Sequence, residues 1–298
     1  MSNEASWTQL GAALTATLHK PRVHLSDLLL QIASAEYPSL DPLHVDAQIE
    51  RLALRVRSAC DALPPGGSHA DHPGDSDPEA GDLRDRQLAA IRHVVFTQDG
   101  FRGDTEDYYN PENSYLNRVL QRRVGVPILL SCLLLEIGRR AGIPLAGVAF
   151  PGHFLVRTAS NVSPTILDPF DRGRILTPTD LQALLDRNHA RAPRFHPTML
   201  VTASAHTIVV RVLRNLKGAY IRRSDFASAR NVTEALVAIH TDDPNEWWDR
   251  GRIHLQLHQP LRALEDFRRC IATAPPGPLR KEAEAALQSV REVLVRRN

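Results

Sequence analysis

Cysteine is scarce in this chain: Cys60, Cys132 and Cys270 stand far apart among 298 residues, with no CxxC or other ligand spacing. That excludes a disulfide framework and a sulfur-ligated metal centre, and a sparse odd set suits a reducing compartment. An excess of one charge is also lacking. The chain sets 36 Lys and Arg against 34 Asp and Glu, a net +2, which gives no electrostatic case for direct nucleic-acid contact. Arginine pairs recur, at Arg122-Arg123, Arg139-Arg140 and Arg222-Arg223 among others. They are scattered, as on solvated helix faces, rather than gathered into a phosphate-binding stripe. Long hydrophobic runs are missing as well. The longest, residues 124–135, stops at Glu136 and is shorter than the ~20 residues a membrane span needs. The opening MSNEASWTQL has no basic stretch followed by an apolar core, so no signal peptide is read there. A soluble, cytoplasmic protein with no membrane contact, no cofactor and no metal is expected.

What is present is helical first. Residues 24–62 read as two helices, the second opened by Asp41 before Pro42 and carrying Val45, Ile49, Leu52 and Val56 on one face. The polar, proline-rich segment 64-PPGGSHADHPGDSDPEAGD-82 lacks an apolar cluster and is expected to be a disordered insertion. Its His69 and His72 read as solvated side chains. A helix resumes with Leu88, Ile91 and Val95; after a turn-rich stretch, Leu116, Val119 and Leu120 mark a short one.

The segment 124-VGVPILLSCLLLEIGRRAGIP-144 is apolar nearly all round, which predicts a helix buried on most faces. Pro127 falls at its first turn, where a missing N–H costs little. Arg139 and Arg140 occupy its last turn, Gly142 supplies a left-handed cap, and Pro144 prevents continuation. The period then changes. Residues 145–150, 153–158 and 165–170 are short and rich in branched residues, with a Pro151-Gly152 turn and the loop 159–164 between them. Centring that loop between Ser160 and Asn161 sets His153 opposite Asp168, within side-chain reach. Such a pair is either a base with its orienting carboxylate or a structural hydrogen bond. The residues alone leave both open.

From about residue 200 the chain is helical and repeats. Tyr220 and His254, like Ala229 and Ala263, lie one tetratricopeptide period of 34 residues apart. Trp247, Gly251, Ala263, Phe267 and Pro275 fall where that repeat places its Trp, Gly, Ala, Phe and Pro, while Arg250, His254 and Cys270 depart from it. Residues 279–296 read as a capping helix with Leu287, Val290 and Leu294 inward.

The stretch 107-DYYNPENSYLNRVLQRRVGVPILLSCLLLEIGRRAGIPLAGVAFPGHFLVR-157, with NPxNSxLNxVLxxRxGxP, PGHFLVR and the LDPF of residues 167–170, resembles the bacterial SirB family. Asp104 stands where that family usually has Asn. The resemblance, over residues 25–295, implies an α+β transglutaminase-like (papain-like) core with N-terminal helices over 1–198. An all-α tetratricopeptide-repeat domain over 199–298 would follow it. It also implies a Cys-His-Asp triad, with cysteine opening the buried helix and His and Asp on later strands. On that pattern Pro127 takes the cysteine position, and His153 and Asp168 take the other two. Proline cannot attack a carbonyl. Cys132 lies about 140° round the helix from Pro127, and Ser131, one turn deeper on the same face, is expected to bond to a carbonyl one turn earlier. Two functions follow. One is a non-catalytic pseudoenzyme that binds a protein or peptide through its repeats. The other is a hydrolase or acyl-transferase using His153 and Asp168, with water or Ser131 as nucleophile.

Overall fold

The computed structural model describes residues 3–64, 78–159, 164–188 and 191–297. Helix α1 (Asn3–Leu18) precedes α2 (Leu25–Glu36) and α3 (Pro42–Ala62). The sequence pattern assigned no element to residues 3–18. Their buried stripe (Trp7, Leu10, Leu14 and Thr17) is diluted by alanines and threonines that blur the period. The α3 start follows its caps: the Asp41 carboxylate accepts the Leu43 N–H, and Val45, Ile49, Leu52 and Val56 are buried. Residues 65–77, including His69 and His72, lie outside the described residues. The rest of the expected insertion needs correction, because α4 (Pro78–Arg92) already begins at Pro78. Proline at the first helical position and the Asp82–Arg86 pair one turn apart support a helix start in a polar stretch. A π-helical turn, His93–Gln98, extends α4 and buries Val94, Val95 and Phe96.

Strand β1 (Arg102–Gly103) pairs in parallel with β2 (Val124–Gly125). Between them lie a 3-10 turn, Pro111–Ser114, and α5 (Leu116–Arg122), which Arg123 ends at φ 62°. Helix α6 (Pro127–Ala141) follows, and every residue from Pro127 to Gly138 is buried. It stops as its sequence demands: Gly142 at φ 77° lets the Ile143 N–H close on the Gly138 carbonyl at 2.8 Å. The only charges at this end are tied down. Glu136 accepts the Leu25 N–H and Arg139, and Arg140 reaches Asp46 on α3.

Strands β3 (Leu145–Val148), β4 (Leu155–Thr158), β5 (Ile166–Asp168) and β6 (Arg174–Leu176) form an antiparallel meander in chain order. Three of these were legible. The fourth, β6, is three residues long with two of them exposed, too short for alternation to show. Helix α7 (Pro178–Asn188) then packs Leu181, Leu184 and Leu185 with Val148, Phe150, Leu155 and Ile166 of the sheet region.

The remaining helices are α8 (Ala205–Arg222), α9 (Phe226–Ile239), α10 (Pro244–Gln256), α11 (Pro260–Thr273) and α12 (Pro278–Arg297). The compact units are residues 24–33 with 39–208, and residues 1–23, 34–38 and 209–298. The sequence division at 198/199 assigned α1 to the first domain, whereas α1 packs on α9. Gly11 permits this: a Cβ there would come within 2.4 Å of the Ala238 Cβ. Within the helical unit the repeat signature has a packing cause. Ala229 and Ala263 are fully buried, and a Cβ on Gly251 would meet the Phe267 ring at 2.5 Å. Leu287, Val290 and Leu294 of α12 join Ala263 and Phe267 in one cluster, the inward face expected of that helix.

Candidate functional site

The site is built by two turns flanking the central hairpin. Pro151 and Gly152 occupy the middle of a four-residue turn closed by the His153 N–H on the Phe150 carbonyl, with Gly152 at φ 71°. Proline second and a positive-φ residue third are the requirements of a type II turn. This turn delivers His153 just ahead of β4. The other residue, Asp168, ends β5, where its carboxylate accepts the Phe170 N–H at 3.0 Å in an Asx-type turn around Pro169. The same carboxylate oxygen lies 2.9 Å from His153 Nε2. His153 is 9% exposed and Asp168 4%, so the bond is shielded from water.

The pair forms, but not by the expected register. Val156 pairs with Leu167 and Arg157 with Ile166; the next step would set Leu155, not His153, opposite Asp168. The loop centre at Ser160 and Asn161 lies outside the described residues. A shift of this size conserves the face of every side chain, so the two residues still meet, diagonally, through the turn that carries His153.

The possible nucleophiles are placed as follows. Pro127 is the first residue of α6, after Val126 as N-cap. Ser131 is fully buried and donates its hydroxyl to the Phe154 carbonyl at 3.4 Å. This corrects the expected bond one turn earlier: β4 begins close to the helix and offers a carbonyl of its own. Cys132 is fully buried, and desolvation followed by the Glu136 charge pushes its thiol far up, against thiolate chemistry.

A second layer was not assigned roles from the sequence. The Gly103 N–H donates to the Phe170 carbonyl at 2.8 Å, and a Cβ on Gly103 would come within 2.4 Å of the Phe170 ring. Phe170 in turn sets its ring perpendicular to His153, with centroids 6.0 Å apart. Asn113, fully buried, donates from Nδ2 to the Asp107 carbonyl, receives Arg122 on Oδ1, and accepts the Val126 N–H with its backbone oxygen. It thereby joins the loop to the start of α6. Asp104 accepts the N–H groups of Glu106 and Asp107 and faces Arg122. Burial raises the Asp104 carboxyl, but those backbone bonds, Asn113 and the Arg122 charge outweigh it and hold it below its ordinary value. For Asn113 the signal was the NPxNSxLN run that holds it.

Over this geometry, the model of the transglutaminase-like superfamily matches residues 43–214. The chain belongs to that superfamily. A tetratricopeptide-repeat model matches residues 216–288, the span of the helical repeat. The chain is 33% identical over 266 residues to a UPF0162 protein of Xylella fastidiosa, covering 87% of each. It is 35% identical over 193 residues to a UPF0162 protein of Vibrio cholerae, covering 64% of this chain and 71% of that one. F-box only protein 21 of Mus musculus is 37% identical over 115 residues, 36% of this chain and 18% of its own. The α+β transglutaminase-like core followed by all-α repeats is therefore the fold, and no described helix is long and apolar enough to cross a membrane.

Outside the transglutaminase-like unit, His240, Asp243 and Glu246 bring ligand atoms within 4.8 Å of one another. Both carboxylates already hold cations: Arg214 bridges them, and Lys217 sits on Glu246 at 2.6 Å. A divalent ion would have to displace two side-chain charges, so this cluster is an ion-pair node between α8 and α10.

Proposed function

We propose that this chain is a SirB-type, cytoplasmic pseudoenzyme: a transglutaminase-like module that binds a protein or peptide partner, with its repeats contributing to the interaction. The observation that carries the reading is Pro127 at the first position of α6. A helix N-terminus activates a thiol through its free N–H groups and dipole, and here that position holds a residue with neither thiol nor N–H. The neighbouring candidates offer no replacement, since Ser131 and Cys132 have no solvent exposure. On this reading the His153–Asp168 bond is a structural remnant that fixes the hairpin, and direct nucleic-acid binding is not part of the function.

One observation favours the rival. A histidine held by a buried carboxylate at 2.9 Å is the geometry of a base with its orienter, which would make a hydrolase or acyl-transferase acting through water or Ser131. Amide and ester probes separate the two. Mass spectrometry of probe-treated native protein should find no acyl adduct. An adduct on Ser131 or Cys132, or any turnover that His153→Gln removes, would overturn the pseudoenzyme reading. For the binding arm, in-cell crosslinking should recover a partner with the wild type and lose it with Ala263→Trp.

A further inference from the structure

Two residues that depart from the repeat pattern, Arg250 and His254, lie one turn apart on α10 and meet the same carboxylate. Arg250 joins three helices. Its Nε and one terminal nitrogen donate to Asp266 of α11 at 2.6–3.2 Å, and its other terminal nitrogen donates to Glu234 of α9 at 2.8 Å. Its guanidinium also lies 4.8 Å from the centre of the Trp247 ring. His254 is 2% exposed and Asp266 1%. The two nitrogens of the His254 ring face two oxygens: Nδ1 is 2.9 Å from Gln259 Oε1, and Nε2 is 3.5 Å from Asp266 Oδ2. That Oδ2 already accepts Arg250 Nε at 3.2 Å.

A neutral imidazole donates from one nitrogen, so it can serve Gln259 or Asp266 but not both. A charged ring would serve both, yet it would stand as a second buried cation beside Arg250. The surrounding charges do not relieve this. Glu234 of α9 is already held by Arg250, and the exposed Glu265 of α11 acts on Arg250 as well. From α8, Arg214 and Lys217 are engaged by Asp243, Glu246 and Asp249, nearer the start of α10. In the turn before α11, His258 is exposed, and α12 meets α11 with Leu287, Val290 and Leu294. Burial accordingly holds the His254 pKa below its ordinary value against the pull of Gln259 and Asp266, and it pushes the Asp266 carboxyl up.

We propose that His254 is an acid-operated release for the joint that Arg250 makes between α9, α10 and α11. Neutral, the ring leaves Asp266 to Arg250; on taking a proton from solvent it competes with Arg250 for Asp266 Oδ2, and the joint loosens. The inference goes beyond the binding-module reading and stands without it. The sign follows from burying a base. Histidine in the unfolded chain titrates near pH 6.5, and the folded ring titrates lower, so on acidification the unfolded chain takes up the proton first. The contribution of the neutral ring is fully present above that value. Below it the folding constant drops by up to about tenfold per pH unit, until the folded ring is charged too.

NMR of the full chain tests this without relying on a variant. The ring nitrogens of His254 should be neutral at pH 7 and titrate below about pH 6.5. Over the same range, protection of the Arg250 Nε–H from solvent exchange should fall by about tenfold. A ring charged at pH 7, a titration at or above that value, or an Nε–H that stays protected while the ring titrates overturns the proposal. His254→Gln, neutral at every pH, separates the ring from other acid effects. Arg250 Nε–H protection should then change by less than about twofold across the range, and a fall as large as in the wild type would assign the loosening to another group.

Discussion

The two units bury charge in opposite ways. In the transglutaminase-like unit the central helix α6 is apolar from its first turn, and its ions, Glu136, Arg139 and Arg140, are confined to the C-terminal end. In the helical unit, charge runs between the helices themselves. Glu246, fully buried, receives Lys217 and Arg214, and Asp266, 1% exposed, receives Arg250 through two nitrogens. An apolar helix can be surrounded on all sides because dispersion and hydrophobic burial have no direction. Repeats built on small residues leave helices close together with little apolar area, and matched ions then fix which helices pair. A matched buried pair adds little net stability over an apolar pair, but removing one partner is costly.

The largest effect should therefore come from Glu246→Ala, which leaves Lys217 only Asp249 and Arg214 only Asp243 and should cost about 3 kcal/mol. The three tryptophans, Trp7, Trp247 and Trp248, all belong to the helical unit, so their fluorescence reports its unfolding alone. A midpoint unchanged in Glu246→Ala would mean that charge in the two units is equivalent after all. Ala263→Trp follows, overpacking a fully buried position between α11 and α12 by about 1–3 kcal/mol. Here the same fluorescence should move while the amides of β4 and β5 keep their exchange protection.

This contrast also marks what the sequence could and could not reveal. The α6 boundaries were legible because proline, glycine and an unbroken apolar run act locally, and the repeat helices were legible because small residues recur at a fixed period. Glu246 and Asp266 were not singled out, because a buried acid looks like a surface acid until its partner, here 29 or 16 residues away, is known. At the site, residue types and strand order sufficed to choose His153 and Asp168. Their register was missed by one diagonal step, since a hairpin loop of unknown shape sets it. Phe170 and Gly103 were missed for a related reason: a ring against a glycine leaves no pattern along the chain.

A smaller effect tests whether the pair at the site resembles the ions of the helical unit. His153→Ala should cost about 1–3 kcal/mol if Asp168 then loses its ring partner, and His153→Gln, still a donor, should cost much less. Asp168 retains the Phe170 N–H, so the loss should stay below that of Glu246→Ala. Thermal unfolding of the three proteins checks the order. Equal losses for Ala and Gln would show that ring packing on Phe170, not the hydrogen bond, holds His153.

The smallest effect, and the sharpest in sign, belongs to Asp104. Its folded carboxyl lies below its ordinary value, so on acidification the unfolded chain takes up the proton first. Its contribution is fully present above the unfolded value, about pH 3.9, and is lost as pH falls through the lower, folded one. Asparagine keeps an oxygen for the N–H groups of Glu106 and Asp107 but gives up the charge facing Arg122 at 3.4 Å. Because Arg122 is partly exposed, Asp104→Asn should cost under about 1 kcal/mol at pH 7. Urea midpoints of wild type and Asp104→Asn, followed by circular dichroism, should differ at pH 7 and converge only once acid protonates the folded carboxyl as well as the unfolded one. A gap that persists into acid would mean the carboxylate acts through shape alone, and that this loop, like the apolar first turns of α6, is held without help from charge.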